Sequence, residues 1–292
     1  MHRPLQTTAW LATLLPLAAS AADFEKTVAA TSGGTLRIEL RAGSVEVIGD
    51  ADEEVRVDAR ATGLGAGSLD LALTSDGVDV ELSGGTGGWL ANVLRDPRVR
   101  VRVRVPEEYS VDIETGAGSI DLQRLQGTVK ARTSGGSIEI DEVEGEVDVR
   151  TSGGPVDADS IEGDLRIETS GGRIRVSEVS GRVEARTSGG GIQIHDVGGP
   201  VEARTSGGSI SVRFNEAPEG TLETSGGGIQ VEFPEDEGVD LDAETSGGRV
   251  EVEAGAAVHG RLEPQRVVGE LNGGGLRLQL RTSGGNIRIR LR

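Results

Sequence analysis

Serine becomes a nucleophile when a base stands beside it, and one serine-bearing tetrapeptide dominates this chain. Thr133-Ser134-Gly135-Gly136 returns as Thr151-Ser152-Gly153-Gly154, then from Thr169 with Gly171 and Gly172, from Thr187 with Gly189 and Gly190, and from Thr205 with Gly207 and Gly208, each time eighteen residues on. A looser copy, Thr115-Gly116-Ala117-Gly118, precedes the series, and copies at Thr224, Thr245 and Thr282 continue it with drifting spacing. Catalytic serines would need a base repeating with them. The three histidines, His2, His195 and His259, do not recur beside the motif. A Thr-Ser ligand rail is the other chemical reading. The structural reading outweighs both: Thr points inward at the end of a strand, Ser bonds the turn backbone, and the glycines take positive φ at a corner where a Cβ would strike the next copy. No catalytic or cofactor-binding residue is assigned.

Acidic and basic groups offer two further chemistries. Asp141-Glu142-Glu144 and Glu235-Asp236-Glu237 have the oxygen ligands a hard cation such as calcium takes, but neither matches the Gly-Gly-x-Gly-x-Asp loop of calcium-binding solenoids, so no metal site is assigned. Arg98, Arg100, Arg102 and Arg104 alternate with valines and form a cationic face, to be balanced by acidic neighbouring strands or used to bind an acidic polymer. A polysaccharide lyase or hydrolase would need clustered acids or bases in a groove and aromatic platforms; beyond the leader the chain has one Trp, Trp89, and one Tyr, Tyr109. Trp89 with Leu90 is read as a plug for one end of the core, with contact to a partner as the alternative.

The elements that carry these groups follow from the same period. In the coil from Thr133 the apolar positions are Ile138, Ile140, Val143, Val147 and Val149; the next coil repeats them as Val156, Ala158, Ile161, Leu165 and Ile167. Each coil therefore reads as a strand, a corner aliphatic, a glycine turn such as Gly145, Gly163 or Gly181, and a second strand. Five aliphatics cannot offset the entropy of fixing eighteen residues, so one coil is unstable alone and stacked coils must share faces. The expected fold is all-β, a parallel β-helix or β-solenoid rising about 4.8 Å per coil. Residues 22–106, with irregular and partly antiparallel strands ending at Pro106, are expected to cap the solenoid of 107–292. Within the latter, 214–220 and 233–238 read as inserted loops and 254–269 as the longest departure. Arg288, Arg290 and Arg292 in the last strand are expected to blunt an open end.

Residues 1–21 have a short basic start, an apolar stretch too short to span a bilayer, and Ala19-Ser20-Ala21 as a cleavage pattern, so a signal peptide and export are expected. No second apolar run follows, so no integral membrane segment is expected in the mature chain. The formal charge of −18 argues against nucleic acid or an anionic membrane as partner, and the absence of cysteine excludes disulfides, thiolate metal sites and a lipidated cysteine anchor.

The strand ending at Pro106, the run Val111-Asp112-Ile113-Glu114-Thr115-Gly116-Ala117-Gly118-Ser119-Ile120 and the tandem Thr-Ser-Gly-Gly-x-Ile-x-Ile series together resemble the bacterial putative-adhesin β-strand-repeat family. The resemblance covers nearly all of the mature chain. It implies a β-helix-like fold and an envelope or surface setting, and brings no catalytic residues. The expected function is a non-enzymatic structural or adhesin-like envelope protein. The alternative is a periplasmic module recognising a polysaccharide or another envelope protein, with location in the periplasm, at the outer membrane or outside the cell.

Overall fold

The computed structural model describes residues 21–62, 69–86, 98–253 and 258–292. The expected leader, save Ala21, and the Trp89-Leu90 pair lie outside the described residues. The first part of the chain forms β1 (Ala21–Ala29), β2 (Thr35–Leu40), β3 (Ser44–Asp50), β4 (Glu54–Thr62), β5 (Leu69–Ser75), β6 (Val80–Thr86) and β7 (Arg98–Pro106). Next come β8 (Ser110–Thr115), β9 (Ile120–Gln126), β10 (Val129–Thr133), β11 (Ile138–Glu144), β12 (Val147–Thr151), β13 (Val156–Glu162), β14 (Leu165–Thr169) and β15 (Ile174–Val179). The central run ends with β16 (Val183–Thr187), β17 (Ile192–Val197), β18 (Val201–Thr205) and β19 (Ile210–Phe214).

Each coil gives one strand to each of two sheets, of 13 and 14 strands among the described residues, with the core sealed between them. Coils stack in parallel and in register: Val129 lies on Val147, Val147 on Leu165 and Leu165 on Val183, and the turn threonines lie on one another in the same way. Alternation of branched aliphatic and polar residues produces this directly, because side chains two apart share a face and a one-residue slip would turn the whole aliphatic set to water.

Within the longer strand of each coil the inward residues Ile140 and Val143 are three apart, which pure alternation forbids. The chain bends there through a column of left-handed residues: Arg124 (φ 53°), Glu142 (φ 54°), Ser160 (φ 56°), Glu178 (φ 52°) and Asp196 (φ 56°). In the next coil the bend is absent and β19 ends in Phe214, which lies beside Val197 after a register shift and is buried to 1% exposure. A larger side chain thus fills the volume that the bend and its aliphatic fill elsewhere. Phe214, and likewise Phe233, therefore close strands of the core, and the loops expected to begin at these residues start after them.

The chain ends are threaded out of order. The remaining strands are β20 (Gly220–Thr224), β21 (Ile229–Phe233), β22 (Val239–Thr245), β23 (Val250–Val252), β24 (Val258–Glu263), β25 (Arg266–Leu271), β26 (Leu276–Thr282) and β27 (Ile287–Leu291). The last coil, β26 with β27, lies between the coil of β20 and β21 and the coil of β22 and β23. At the opposite end β2 and β3 are held in parallel between β6 and β7 on one side and β8 and β9 on the other. Antiparallel strands complete both ends: β1, β4 and β5 at one, β24 and β25 at the other.

This threading overturns the expectation for the C-terminal arginines. They lie inside the stack, where Arg288 pairs with Glu251, Arg290 with Glu232, and Arg292 donates to the Phe214 carbonyl and Asn215. The arrangement also spares the sheet a like-charge contact. Stacked in chain order, Glu223 would meet Glu244; the intercalated coil sets Arg281 between them.

Candidate functional site

The repeated tetrapeptide is built from the inside out. Its threonine is the last inward residue of a strand and is buried, at 5% exposure for Thr151 and 3% for Thr169. The Thr169 hydroxyl donates to the Gly154 carbonyl of the coil below at 3.1 Å and accepts the Gly172 N–H of its own turn at 3.2 Å. The same two bonds recur at Thr151, Thr187 and Thr205. The backbone bonding expected of the serine is thus made by the threonine, whose hydroxyl stitches coil to coil.

The glycines also differ from expectation. None of the five central pairs lies at positive φ. The second glycine is required by space: a Cβ on Gly154 would sit 2.0 Å from the Gly136 carbonyl oxygen, and one on Gly172 1.8 Å from that of Gly154. The first has room; a Cβ on Gly153 would come no nearer than 3.8 Å to any heavy atom, and on Gly135 nothing lies within 4 Å.

The serines 134, 152, 170, 188, 206, 225, 283 and 246 are exposed and form a column of hydroxyls down the corner. Beside it runs a charged column. Arg150 reaches Asp148 and Glu168, Arg186 is bound by Glu184 and Glu202, and Arg204 by Glu202 and Glu223. Hydrogen bonding from Arg186 holds the Glu184 carboxyl below its ordinary range. From Glu168 to Ser283 these two columns line a shallow groove of about 650 Å³. Its floor is polar and its charges are paired, so it can offer hydroxyls and carboxylates to a neutral or mixed-charge ligand. It holds no nucleophile with a base. His195 is on one sheet and His259 on β24 of the other, and neither joins the serine column.

The acidic clusters are dispersed by the fold. Glu142 sits at the left-handed bend, and Glu142 and Glu144 join Glu107, Glu162, Glu178 and Asp196 along a second groove of about 910 Å³. Among the described residues no three Asp, Glu or His side chains gather closely enough to hold a metal ion. Near the C-terminal coil, the backbone carbonyls of Glu235 and Glu237 accept from the Asn272 side chain.

The arginine stripe is where it was expected, on the outward face of β7, with Arg102 bound to Glu46. A second group emerges with it. β4 carries Arg56 and Arg60 on the same face, and the antiparallel register sets Arg56 opposite Arg104 and Arg60 opposite Arg100. The signal in the sequence is the alternation Val55-Arg56-Val57-Asp58-Ala59-Arg60-Ala61, which mirrors that of 99–105.

Fold and surface together define a two-sheet parallel β-solenoid whose repeat motif is a buried seam and whose walls are ladders of charge. The chain belongs to the family described as Toastrack DUF4097, whose model matches residues 35–290. No curated protein matches it. Among solved structures it is similar to a putative cell adhesion protein from Clostridium sporogenes, at 13% identity over 94% of this chain and 100% of that one, with a TM-score of 0.26. Similarity extends to putative adhesins from Bacteroides fragilis and Parabacteroides distasonis, each 11% identical over 92% of this chain and 97% of the other, with TM-scores of 0.41 and 0.39. Among the described residues no helix is long and apolar enough to cross a membrane.

Proposed function

We propose that this chain is a non-enzymatic, exported β-solenoid that serves as a structural or adhesin-like surface of the cell envelope. The observation that supports the reading is the regularity of its outer walls. Ion pairs run from coil to coil, as in Arg166 with Glu184, Arg186 with Glu202 and Arg204 with Glu223, so the body presents a repetitive polar face. Such a face is suited to weak contacts repeated along an extended partner, where avidity replaces a deep pocket. The resemblance to solved proteins described as adhesins agrees with it.

Fractionation of cells making the full-length chain, followed by a surface-binding assay of a deletion strain, tests this. The expected result is protein in the envelope or medium and reduced attachment; protein retained in the cytoplasm, or unchanged attachment, refutes the reading.

A second reading, a periplasmic module that recognises a polysaccharide or an envelope protein, is favoured by the groove along the serine column. Immobilised protein exposed to envelope extract should then retain one dominant component, and substitution of Ser188 and Ser206 with bulky residues should abolish retention.

A further inference from the structure

The outward face of β4 and β7 departs from the charge pattern of the solenoid. The chain carries a formal charge of −18, yet Arg56, Arg60, Arg98, Arg100, Arg102 and Arg104 share one face of two adjacent strands. Arg56 stands directly opposite Arg104, and Arg60 opposite Arg100. Like charges so placed destabilise a sheet. Elsewhere, stacked arginines such as Arg186 and Arg204 share the carboxylate of Glu202. Here Glu54 binds Arg56, Asp23 reaches Arg60 only at 3.7 Å with both side chains largely exposed, and the described residues give Arg98, Arg100 and Arg104 no ion pair. In an acidic chain, crowded carboxylates follow from composition; crowded guanidiniums, with Arg98, Arg100 and Arg104 left without an ion pair, do not.

The spacing narrows the ligand. The two arginine pairs lie four residues apart along the strands, about 13 Å at about 3.3 Å per residue. Between them Arg102 is flanked by Glu46, at 3.0 Å, and by Asp58 directly opposite, so the middle of the face carries no surplus of positive charge. A nucleic-acid strand, charged at every phosphate, would set anions over Glu46 and Asp58. A glycan with one anionic group per two or three sugars would place its charges on the pairs and its hydroxyls over the centre. Guanidinium pairs suit carboxylate and other planar or tetrahedral anions, which they hold with two parallel hydrogen bonds.

We propose that this face binds an acidic polysaccharide, with Arg60 and Arg100 holding one anionic group and Arg56 and Arg104 the next. The inference deepens the envelope reading above and rests on it only for the encounter with such a polymer.

The test is titration of the full chain with hyaluronan and unsulfated chondroitin oligosaccharides, each with one carboxylate per two sugars, alongside dextran, a single-stranded oligonucleotide and phosphatidylglycerol vesicles. Expected are binding of an acidic glycan that weakens as salt rises, none of dextran, and about a tenfold or greater loss of affinity in Arg60→Gln/Arg100→Gln. Arg277→Gln, on β26 of the other sheet, should bind as the parent does. Thermal melting checks each fold, and Arg98→Gln/Arg104→Gln is the second variant should the first melt early. Absence of binding to both acidic glycans, undiminished binding in the folded variants, or preference for the oligonucleotide or the vesicles overturns the proposal. Any of these results leaves the export reading to its own test by fractionation.

Discussion

The guanidinium of Arg281 grips the carboxylate of Asp242 with two hydrogen bonds, Nη1 to Oδ1 at 3.1 Å and Nη2 to Oδ2 at 2.7 Å. Arg281 belongs to the intercalated last coil and Asp242 to the coil outside it, so this pair fastens the end of the chain into the stack. The Arg281 bonds hold the Asp242 carboxyl below its ordinary range, outweighing the burial that pushes it up. An unfolded aspartate titrates near about pH 3.9. The stabilisation is therefore complete above that pH and is lost as pH falls towards the lower value of the folded state. Asp242→Asn should cost about 1.5–3 kcal/mol at neutral pH, the range for hydrogen bonds to charged groups. Melting curves of parent and variant should converge as pH falls below about 4; a gap that persists there would mean the pair is not what fastens the coil.

A second consequence separates two adjacent glycines. Since a Cβ has room at Gly153 and none at Gly154, Gly153→Ala should change stability by less than about 0.5 kcal/mol. Gly154→Ala should cost at least the roughly 1–3 kcal/mol of an overpacked core, because the obstacle is backbone of the neighbouring coil and cannot swing aside. Chemical denaturation of the two variants checks this, and equal midpoints would refute the stacked-corner account.

The central coils are legible in the sequence because each repeats the same local pattern: Ile138 and Ile140 share a face, Gly145 turns the chain, and Thr151 ends the strand. The spacing of three from Ile140 to Val143 even marks the bend, although not that a left-handed residue makes it. The threading of the ends is less legible. Leu276, Leu278 and Leu280 alternate as any other coil does, and nothing local says which neighbours they will meet. The one hint is electrostatic: Glu223 is followed in the turn column by Glu244, and only an inserted Arg281 keeps them apart. The arginine face is half legible for the same reason. The stripe on β7 shows in its alternation, whereas its partner strand β4 is chosen by a long-range antiparallel register.

The threonine seam should be sensitive to loss of its hydroxyl rather than of its shape. Thr169→Val is nearly isosteric but removes both the bond to the Gly154 carbonyl and the acceptor for the Gly172 N–H in a buried site. A cost of about 1–3 kcal/mol is expected from the stranded polar groups. Thr169→Ser keeps the hydroxyl and should recover much of the loss. If Val and Ser variants melt together, the seam is held by packing and the hydroxyl bonds contribute little.

Tyr109 provides a probe that needs no label, because it is the only tyrosine in the chain. Its ring is fully buried and its hydroxyl donates to the Val78 carbonyl, tying β8's approach to the turn before β6. Burial, with the charges of Asp79 and Asp76 adding to it, pushes its pKa up to about 12. An unfolded tyrosine ionises near about pH 10. Between these values the unfolded chain releases its proton while the folded one keeps it, so stability falls as pH rises from about 10 towards 12 and is untouched below. Ultraviolet titration of the native protein should show no phenolate at pH 10.5, whereas the denatured chain should be mostly ionised there. Tyr109→Phe should remove this alkaline loss and cost about 1 kcal/mol at neutral pH from the unpaired Val78 carbonyl. Phenolate appearing near pH 10 with the fold intact would place the ring at the surface and undo the account of this end of the core.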